Sequence, residues 1–170
     1  MKIILFQPQI PQNAGNIVRT CSVTGTGLIL VHPLGFSTSA RHLKRAGLDY
    51  WEGVKVEEIE DLDAYLKSCK APFFFFSSKA SQSYTAASFT AESLLIFGSE
   101  TAGLPARYFE RWPEKFFKIP MRATARCLNL ATSAGVVLFE ALRQRAYSLE
   151  KSDKKNEMTE LTSREEVTGK

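Results

Sequence analysis

Three short segments of this chain combine residue types able to hold a polar ligand and to handle a proton. The first is Asn13-Ala-Gly-Asn16-Ile-Val-Arg19. Asn16 and Arg19 are three apart, so on a helix they share a face. An arginine beside amide groups suits the holding of a phosphate or the polarising of a hydroxyl. The second is Leu94-Leu-Ile-Phe-Gly-Ser-Glu-Thr-Ala-Gly-Leu-Pro105, in which four apolar residues run into Gly98 and a carboxylate, Glu100, follows two residues later. Glycine at a strand exit permits close backbone approach. The third is Ile119-Pro-Met-Arg-Ala-Thr-Ala-Arg126-Cys-Leu-Asn129-Leu, a small-residue loop whose main-chain groups can bind an adenine edge or an anion. Each segment also has a plainer reading: a capped helix with a solvated arginine, an ordinary strand-turn, and a routine loop before a capped helix.

The elements that must position these segments alternate between two periods. Lys2 to Phe6, Leu28 to Val31, Phe73 to Phe76, Leu94 to Phe97 and Phe116 to Ile119 are apolar runs of strand length, with a briefer strand at Val54 and Val56. Phe73-Phe-Phe-Phe76 is apolar on both faces, as in the middle of a parallel sheet covered by helices. Asn13 is expected to cap a helix with Ala14, Ile17, Val18 and Cys21 at helical spacing, ending near Gly25. Residues 40–47 read as a short basic helix. Asp61 to Cys69 reads as an amphipathic helix, and Leu130 to Leu149 as the longest one, with Asn129 at its start. Strand–helix alternation implies an α/β fold with a mostly parallel sheet. Residues 1–149 read as one domain. Residues 150–170, rich in charge and poor in apolar side chains, read as a mobile tail.

Composition narrows the function classes. The 170 residues carry 44% hydrophobic and 24% charged side chains, as ordinary globular chains do. No apolar run approaches the ~20 residues of a membrane helix. Gln7, Pro8 and Gln9 interrupt the N-terminal apolar run too early for a signal peptide, so a cytoplasmic location is expected. The three cysteines and two histidines form no metal pattern and no disulfide framework, and no metal is expected. Gly25-Thr-Gly27 precedes a strand and lacks a third glycine, which excludes a dinucleotide fingerprint. No phosphate-binding P-loop and no GxSxG elbow occur. Net charge is +4, and the basic excess lies in residues 1–149, which is compatible with a nucleic-acid partner. The basic residues cluster at Arg41, Lys44 and Arg45, at Arg107, Arg111, Lys115 and Lys118, and at Arg122 and Arg126. Trp51 and Trp112 read as packing residues rather than base platforms.

Asn-x-x-Asn-x-x-Arg, then Phe-Gly-Ser-Glu-x-x-Gly-Leu-Pro, then Ile-Pro-Met…Leu-Asn-Leu before a long helix resembles the three ordered motifs of SPOUT-class RNA methyltransferases. The resemblance is to the small single-domain branch that 2′-O-methylates the wobble nucleotide of leucine tRNAs. It runs from about Lys2 to Gln144 and includes Gly47-Leu-Asp-Tyr50 and Glu140-Ala-Leu-Arg-Gln144.

That resemblance implies a parallel sheet flanked by helices with a C-terminal trefoil knot, S-adenosylmethionine as cofactor, tRNA as substrate and a homodimer with the site near its interface. The cofactor pocket would be lined by Phe76, Gly98, Ile119 and Cys127, with Glu100, Met121, Leu128 and Asn129 close by. Arg19 would activate the ribose hydroxyl by orienting it and stabilising developing alkoxide, since a guanidinium with pKa above ~12 is a poor base. Glu100 would accept the proton or orient Arg19. Asn13 and Asn129 would hold ribose, cofactor or each other. Arg41, Lys44, Arg45, Arg122 and Arg126 would grip RNA. Cys127 stands where the family has serine, which puts in doubt any role needing a hydroxyl there. Ala102 stands where arginine is frequent. An rRNA or other tRNA position as target, and a non-catalytic RNA-binding protein on the same fold, are the alternatives; intact Asn13, Arg19, Glu100 and Asn129 speak against lost activity. Ribosomal-RNA enzymes of the class usually carry an extra N-terminal domain, whereas this sequence starts directly with the first strand.

Overall fold

The structure, a computed structural model, describes residues 1–38 and 54–147. The expected basic helix at 40–47, with Arg41, Lys44 and Arg45, lies outside those residues, as do Trp51 and the tail from 150. The described chain forms β1 (Lys2–Phe6), α1 (Pro11–Thr24), β2 (Gly27–Val31), β3 (Val56–Ile59), α2 (Leu62–Ser68), β4 (Phe73–Phe76), β5 (Gln82–Ser83), β6 (Leu94–Phe97), α3 (Ala106–Arg111), β7 (Phe116–Lys118) and α4 (Leu130–Gln144), with 3₁₀ turns at Tyr84–Ala86 and Pro113–Lys115.

One sheet holds all seven strands in the order β3-β2-β1-β6-β4-β7-β5, and every pairing is parallel. Parallel strands need cover on both faces, and the apolar runs supply it. Alternate residues divide between two cores. Ile3, Leu5, Leu28, Leu30, Leu95 and Phe97 pack with Ala14, Ile17, Val18 and Cys21 of α1 and Ala134, Val137, Leu138, Ala141 and Leu142 of α4. Ile4, Phe6, Ile29, Val31, Ile96, Phe75 and Phe116 pack with Leu62 and Leu66 of α2 and Tyr108 of α3. All four residues of β6 are buried between β1 and β4. Each such Leu, Ile or Phe contributes about 1.5–3 kcal/mol by leaving water.

The last strand among the described residues is not at an edge of the sheet. Phe76 of β4 and Gln82 of β5 both lie opposite Phe117 of β7. The connection 77–81 therefore spans β7 from one side to the other. It is tied down where the Ser77 N–H donates to the Phe117 carbonyl at 2.9 Å and where Ala80, 2% exposed, enters the second core.

The elements depart from expectation at several points: β3 covers Val56–Ile59 where Val54 and Val56 marked a strand, and β7 ends at Lys118, one residue before Ile119. α1 starts at Pro11, so Asn13 lies in its first turn instead of capping it. Proline is suited to that first position because its missing N–H has no helical partner there. α4 ends at Gln144, five residues before Leu149, and Ala146 and Tyr147 take φ of 50° and 54°. α3 and the two-residue β5 have no counterpart among the predicted elements. Gly25 ends α1 in the left-handed region, with its N–H on the Cys21 carbonyl, as its position predicts.

Candidate active site

The carboxyl ends of β1 and β6 and the amino ends of α1 and α4 converge on Glu100. Its Oε2 accepts the Gln9 N–H at 2.8 Å. Its Oε1 accepts the Ile10 N–H at 3.2 Å and Asn13 Nδ2 at 2.9 Å. Asn13 Oδ1 in turn accepts Asn129 Nδ2 at 2.9 Å, and Asn129 Oδ1 accepts the N–H groups of Ala131 at 2.8 Å and Thr132 at 3.2 Å. One continuous hydrogen-bonded chain thus ties all three polar segments together. It also resolves the start of α1. Ile10 offers no side-chain cap, and a carboxylate 90 residues away takes the free N–H groups instead, where negative charge is favoured. Asn13 is 6% exposed, and both ends of its amide are engaged in this chain.

The loop carrying Glu100 is held by its own backbone. Ser99 and Gly103 exchange N–H···O bonds at 3.2 and 3.0 Å. Gly103 sits at φ 69°, and a Cβ on Gly98 would lie 2.2 Å from the Gly103 carbonyl carbon and 2.5 Å from Leu104 N. Gly98 was expected to admit a cofactor; the close approach that requires glycine is made by the chain itself. On the β1 side, Gln7 exits the strand at φ 50°, its Nε2 donates to the His32 carbonyl at 3.3 Å, and Gly35 N–H donates to the Pro8 carbonyl at 2.9 Å. His32 Nε2 reaches Glu58 Oε2 at 2.7 Å, which extends the polar rim to β3.

The sequence-predicted residues fall into four groups. Asn13, Glu100 and Asn129 are in mutual contact. Gly98 and Ile119 stand at the exits of β6 and β7, and Phe76 ends β4 with its ring stacked on Phe97 at 5.0 Å. Phe76 is therefore a wall residue whose side chain belongs to the core. Met121 is half-buried, and Arg122, Arg126, Cys127 and Leu128 are exposed on the loop between β7 and α4. Asn16 and Arg19 lie on the exposed face of α1, Arg19 six residues beyond Asn13, or about 9 Å along the axis. Glu100 is committed to Gln9, Ile10 and Asn13, so its side-chain partner is Asn13 and not Arg19. Gln9 and Ile10 were not foreseen. They act through main-chain N–H groups, which leave no residue-type signal.

Three of the four residues of the second basic cluster are engaged elsewhere. Arg107 and Arg111 each approach Asp63 at 3.5 Å, and Lys115 lies 4.4 Å from the Phe73 ring centroid. Trp112 stacks on Tyr108 and Phe75, as a packing residue. Burial and a hydrogen bond to Asp63 hold the Tyr108 phenol up to about 12, so it stays protonated. Burial likewise pushes the Cys21 thiol up to about 12 and makes it unreactive. Among the described residues no group of His, Cys, Asp and Glu is arranged to hold a metal, and no helix is long and apolar enough to cross a membrane.

The exposed loop 122–129 follows the exit of β7, beside the ends of β4 and β6, where Phe76 and Phe97 are buried in the core and Ile119 packs against it. Between Met121 and Leu128 the only main-chain bond between loop residues is Ala125 N–H to the Arg122 carbonyl, which leaves edge-binding groups on the loop.

Known proteins resemble this chain in sequence and fold. Residues 1–139 match the SpoU rRNA Methylase family. A tRNA (cytidine(34)-2′-O)-methyltransferase of Yersinia pestis is 41% identical over 154 residues, covering 86% of this chain and 95% of that protein. A solved structure concerned with 2′-OH methylation of C/U34 on tRNA is 42% identical with a TM-score of 0.78, covering 85% of this chain and 95% of its own. An AdoMet-bound rRNA methyltransferase from Sinorhizobium meliloti is 27% identical with a TM-score of 0.72, covering 84% of this chain and 55% of its own.

Proposed function

This chain belongs to the SpoU rRNA Methylase family, and from that premise we propose that it transfers a methyl group from S-adenosylmethionine to the ribose 2′-hydroxyl of nucleotide 34, C or a modified U, in leucine tRNAs. The observation that carries the reading is the Glu100–Asn13–Asn129 chain, which locks three polar segments around one point at the carboxyl end of a parallel sheet. Support for the target comes from the relatives at about 40% identity, two of which the chain covers almost end to end. An rRNA target is the second reading, favoured by the family's own description; the chain spans only 55% of the Sinorhizobium rRNA methyltransferase, against 95% of the Yersinia tRNA enzyme.

S-Adenosylmethionine, when bound, supplies an already activated methyl group, so the protein's work is proximity and orientation. Loop 121–129 would hold the adenine edge through its main chain, with Gly98, Ile119, Met121, Cys127 and Leu128 around it. A backbone contact at 127 is indifferent to cysteine in place of serine. Arg19 would orient the 2′-hydroxyl and stabilise the developing alkoxide on O2′. Glu100 would act as the anchor of Asn13 and of the α1 amino end, because its oxygens already accept three donors. The insertion of β7 between β4 and β5 supports a C-terminal trefoil knot. Arg122 and Arg126 would meet RNA, together with Arg41, Lys44 and Arg45, and such an enzyme works in the cytoplasm. A homodimer is supported by Val23, 68% exposed on α1 four residues beyond Arg19, and Phe139, 49% exposed on α4; a sedimentation mass of one chain would remove that part.

The test is labelled-methyl transfer from S-adenosylmethionine to unmodified total tRNA, with the modified nucleotide mapped. Label at the 2′-O of nucleotide 34 is expected, and Arg19→Ala is expected to abolish transfer while calorimetric cofactor binding persists. No incorporation by the wild type, or label on a base, would sink the reading.

A further inference from the structure

Between Ala71 and Ala91 the sole charged residue is Lys79. A lone lysine in so long an uncharged stretch stands out, and its place in the fold gives it a use. Lys79 rides on the connection that spans β7, directly after the carboxyl end of β4. β4 lies between β6, which leads to Glu100, and β7, which leads to loop 121–129. The connection is built to hold still. Ala80 N–H returns to the Ser77 carbonyl at 3.1 Å, Ser77 Oγ accepts the Lys79 N–H at 3.3 Å, Ser77 N–H is tied to β7, and Ala80 is buried on the following position. Lys79 itself is exposed, and among the described residues its ammonium has no ion pair. The neighbouring exit of β7 is cationic as well: from Lys118 to Phe139 the charged residues are Lys118, Arg122 and Arg126, with no acid among them.

We propose that Lys79 is a substrate-positioning residue that binds a phosphate of the RNA backbone beside the target nucleotide, acting with Arg122 and Arg126 across the exits of β4 and β7. The inference rests on the RNA-methyltransferase reading and adds a contact to it. The chemistry is that of a compact ammonium on a rigid turn meeting a phosphodiester. Such a contact fixes register on the strand without reading a base. Its removal weakens binding of every tRNA sequence alike and flattens the salt dependence, since one fewer counterion is released. The competing partner for an ammonium at this rim is the carboxylate of the cofactor.

The experiment uses the full chain, Lys79→Ala and Lys79→Arg, with unmodified tRNA and S-adenosylmethionine as probes. Methyl-transfer kinetics are taken at several salt concentrations, tRNA binding by filter retention, and cofactor binding by calorimetry. Lys79→Ala is expected to raise the tRNA KM and Kd roughly tenfold, with the loss in KM and not in kcat. It should lower the log–log salt slope by about one unit and leave cofactor affinity as in wild type. Lys79→Arg should restore the KM. An unchanged tRNA Kd and salt slope in Lys79→Ala would overturn the proposal, and so would a loss of cofactor affinity with tRNA binding intact. Absence of transfer by the wild type would instead defeat the enzyme reading, and the filter-binding slope would still report on Lys79.

Discussion

Gly98 shows how a residue can be chosen by its own chain and not by a ligand. The Ser99–Gly103 bridge folds the Glu100 loop back so tightly that any Cβ at position 98 would meet backbone atoms at 2.2–2.6 Å. Backbone cannot swing away as a side chain can, so Gly98→Ala must move Gly103 and Leu104, and with them Glu100. Overpacking of this kind costs about 1–3 kcal/mol. The displaced carboxylate also releases the Gln9 and Ile10 N–H groups. Gly98→Ala is therefore expected to lower the unfolding free energy, read from urea titration, by that amount and to weaken S-adenosylmethionine binding in calorimetry. Wild-type stability together with wild-type cofactor affinity would show that the loop opens freely, contrary to the geometry. Cys127 is the opposite case, because its exposed side chain on the 121–129 loop is not the only route to a contact there.

At the scale of elements, Asn129 does two jobs that one substitution can separate. Its Oδ1 caps α4 on Ala131 and Thr132, and its Nδ2 donates to Asn13. Aspartate caps as well as asparagine and suits the positive end of a helix. It has no donor, however, and would set a carboxylate oxygen against Asn13 Oδ1. Asn129→Asp is expected to hold the thermal midpoint while methyl transfer falls about tenfold, the cost of an unmade, partly buried hydrogen bond. Asn129→Ala would instead lose about 1 kcal/mol of stability with the cap. Full activity in Asn129→Asp would deny the Asn13 bridge any part in the site. That cap was legible because Asn precedes a clean apolar stripe. The start of α1 was not: Asn13 has the right residue type, but Pro11 takes the first turn and Glu100, remote in sequence, satisfies the free N–H groups. α3 escaped notice because Ala106-Arg-Tyr-Phe-Glu-Arg111 buries only Tyr108 fully and shows no stripe. The strands Phe73–Phe76 and Leu94–Phe97 were plain, since burial on both faces leaves an unbroken apolar run.

For the whole molecule, composition and period specify a parallel sheet between helices, but strand order is decided by pairings that no local pattern encodes. Nothing in Phe116-Phe-Lys118 announces a strand inserted between β4 and β5. The carboxyl end of α4 is held to the segment before β6 by a polar clamp. Gln144 Oε1 accepts the Phe89 N–H at 3.0 Å, while its Nε2 donates to the Ala87 carbonyl at 3.0 Å and to Glu140 at 2.9 Å. Glu140 also accepts Arg143 Nε at 2.8 Å and a second guanidinium nitrogen at 2.9 Å. The hydrogen bonds from Arg143, and then from Gln144, hold the Glu140 carboxyl down to about 2. A carboxyl depressed in the folded state stabilises the protein above its unfolded value of 4.5 and ceases to do so as pH falls from there toward 2. Glu140→Gln keeps an oxygen acceptor for Arg143 but cannot titrate. Urea unfolding followed from pH 7 to pH 2 should therefore show wild type losing more stability below pH 4.5 than Glu140→Gln, with the two curves converging at the acid end. Parallel curves over that window would mean that the Arg143 and Gln144 contacts persist equally in the unfolded chain, and the clamp would then contribute nothing to acid stability.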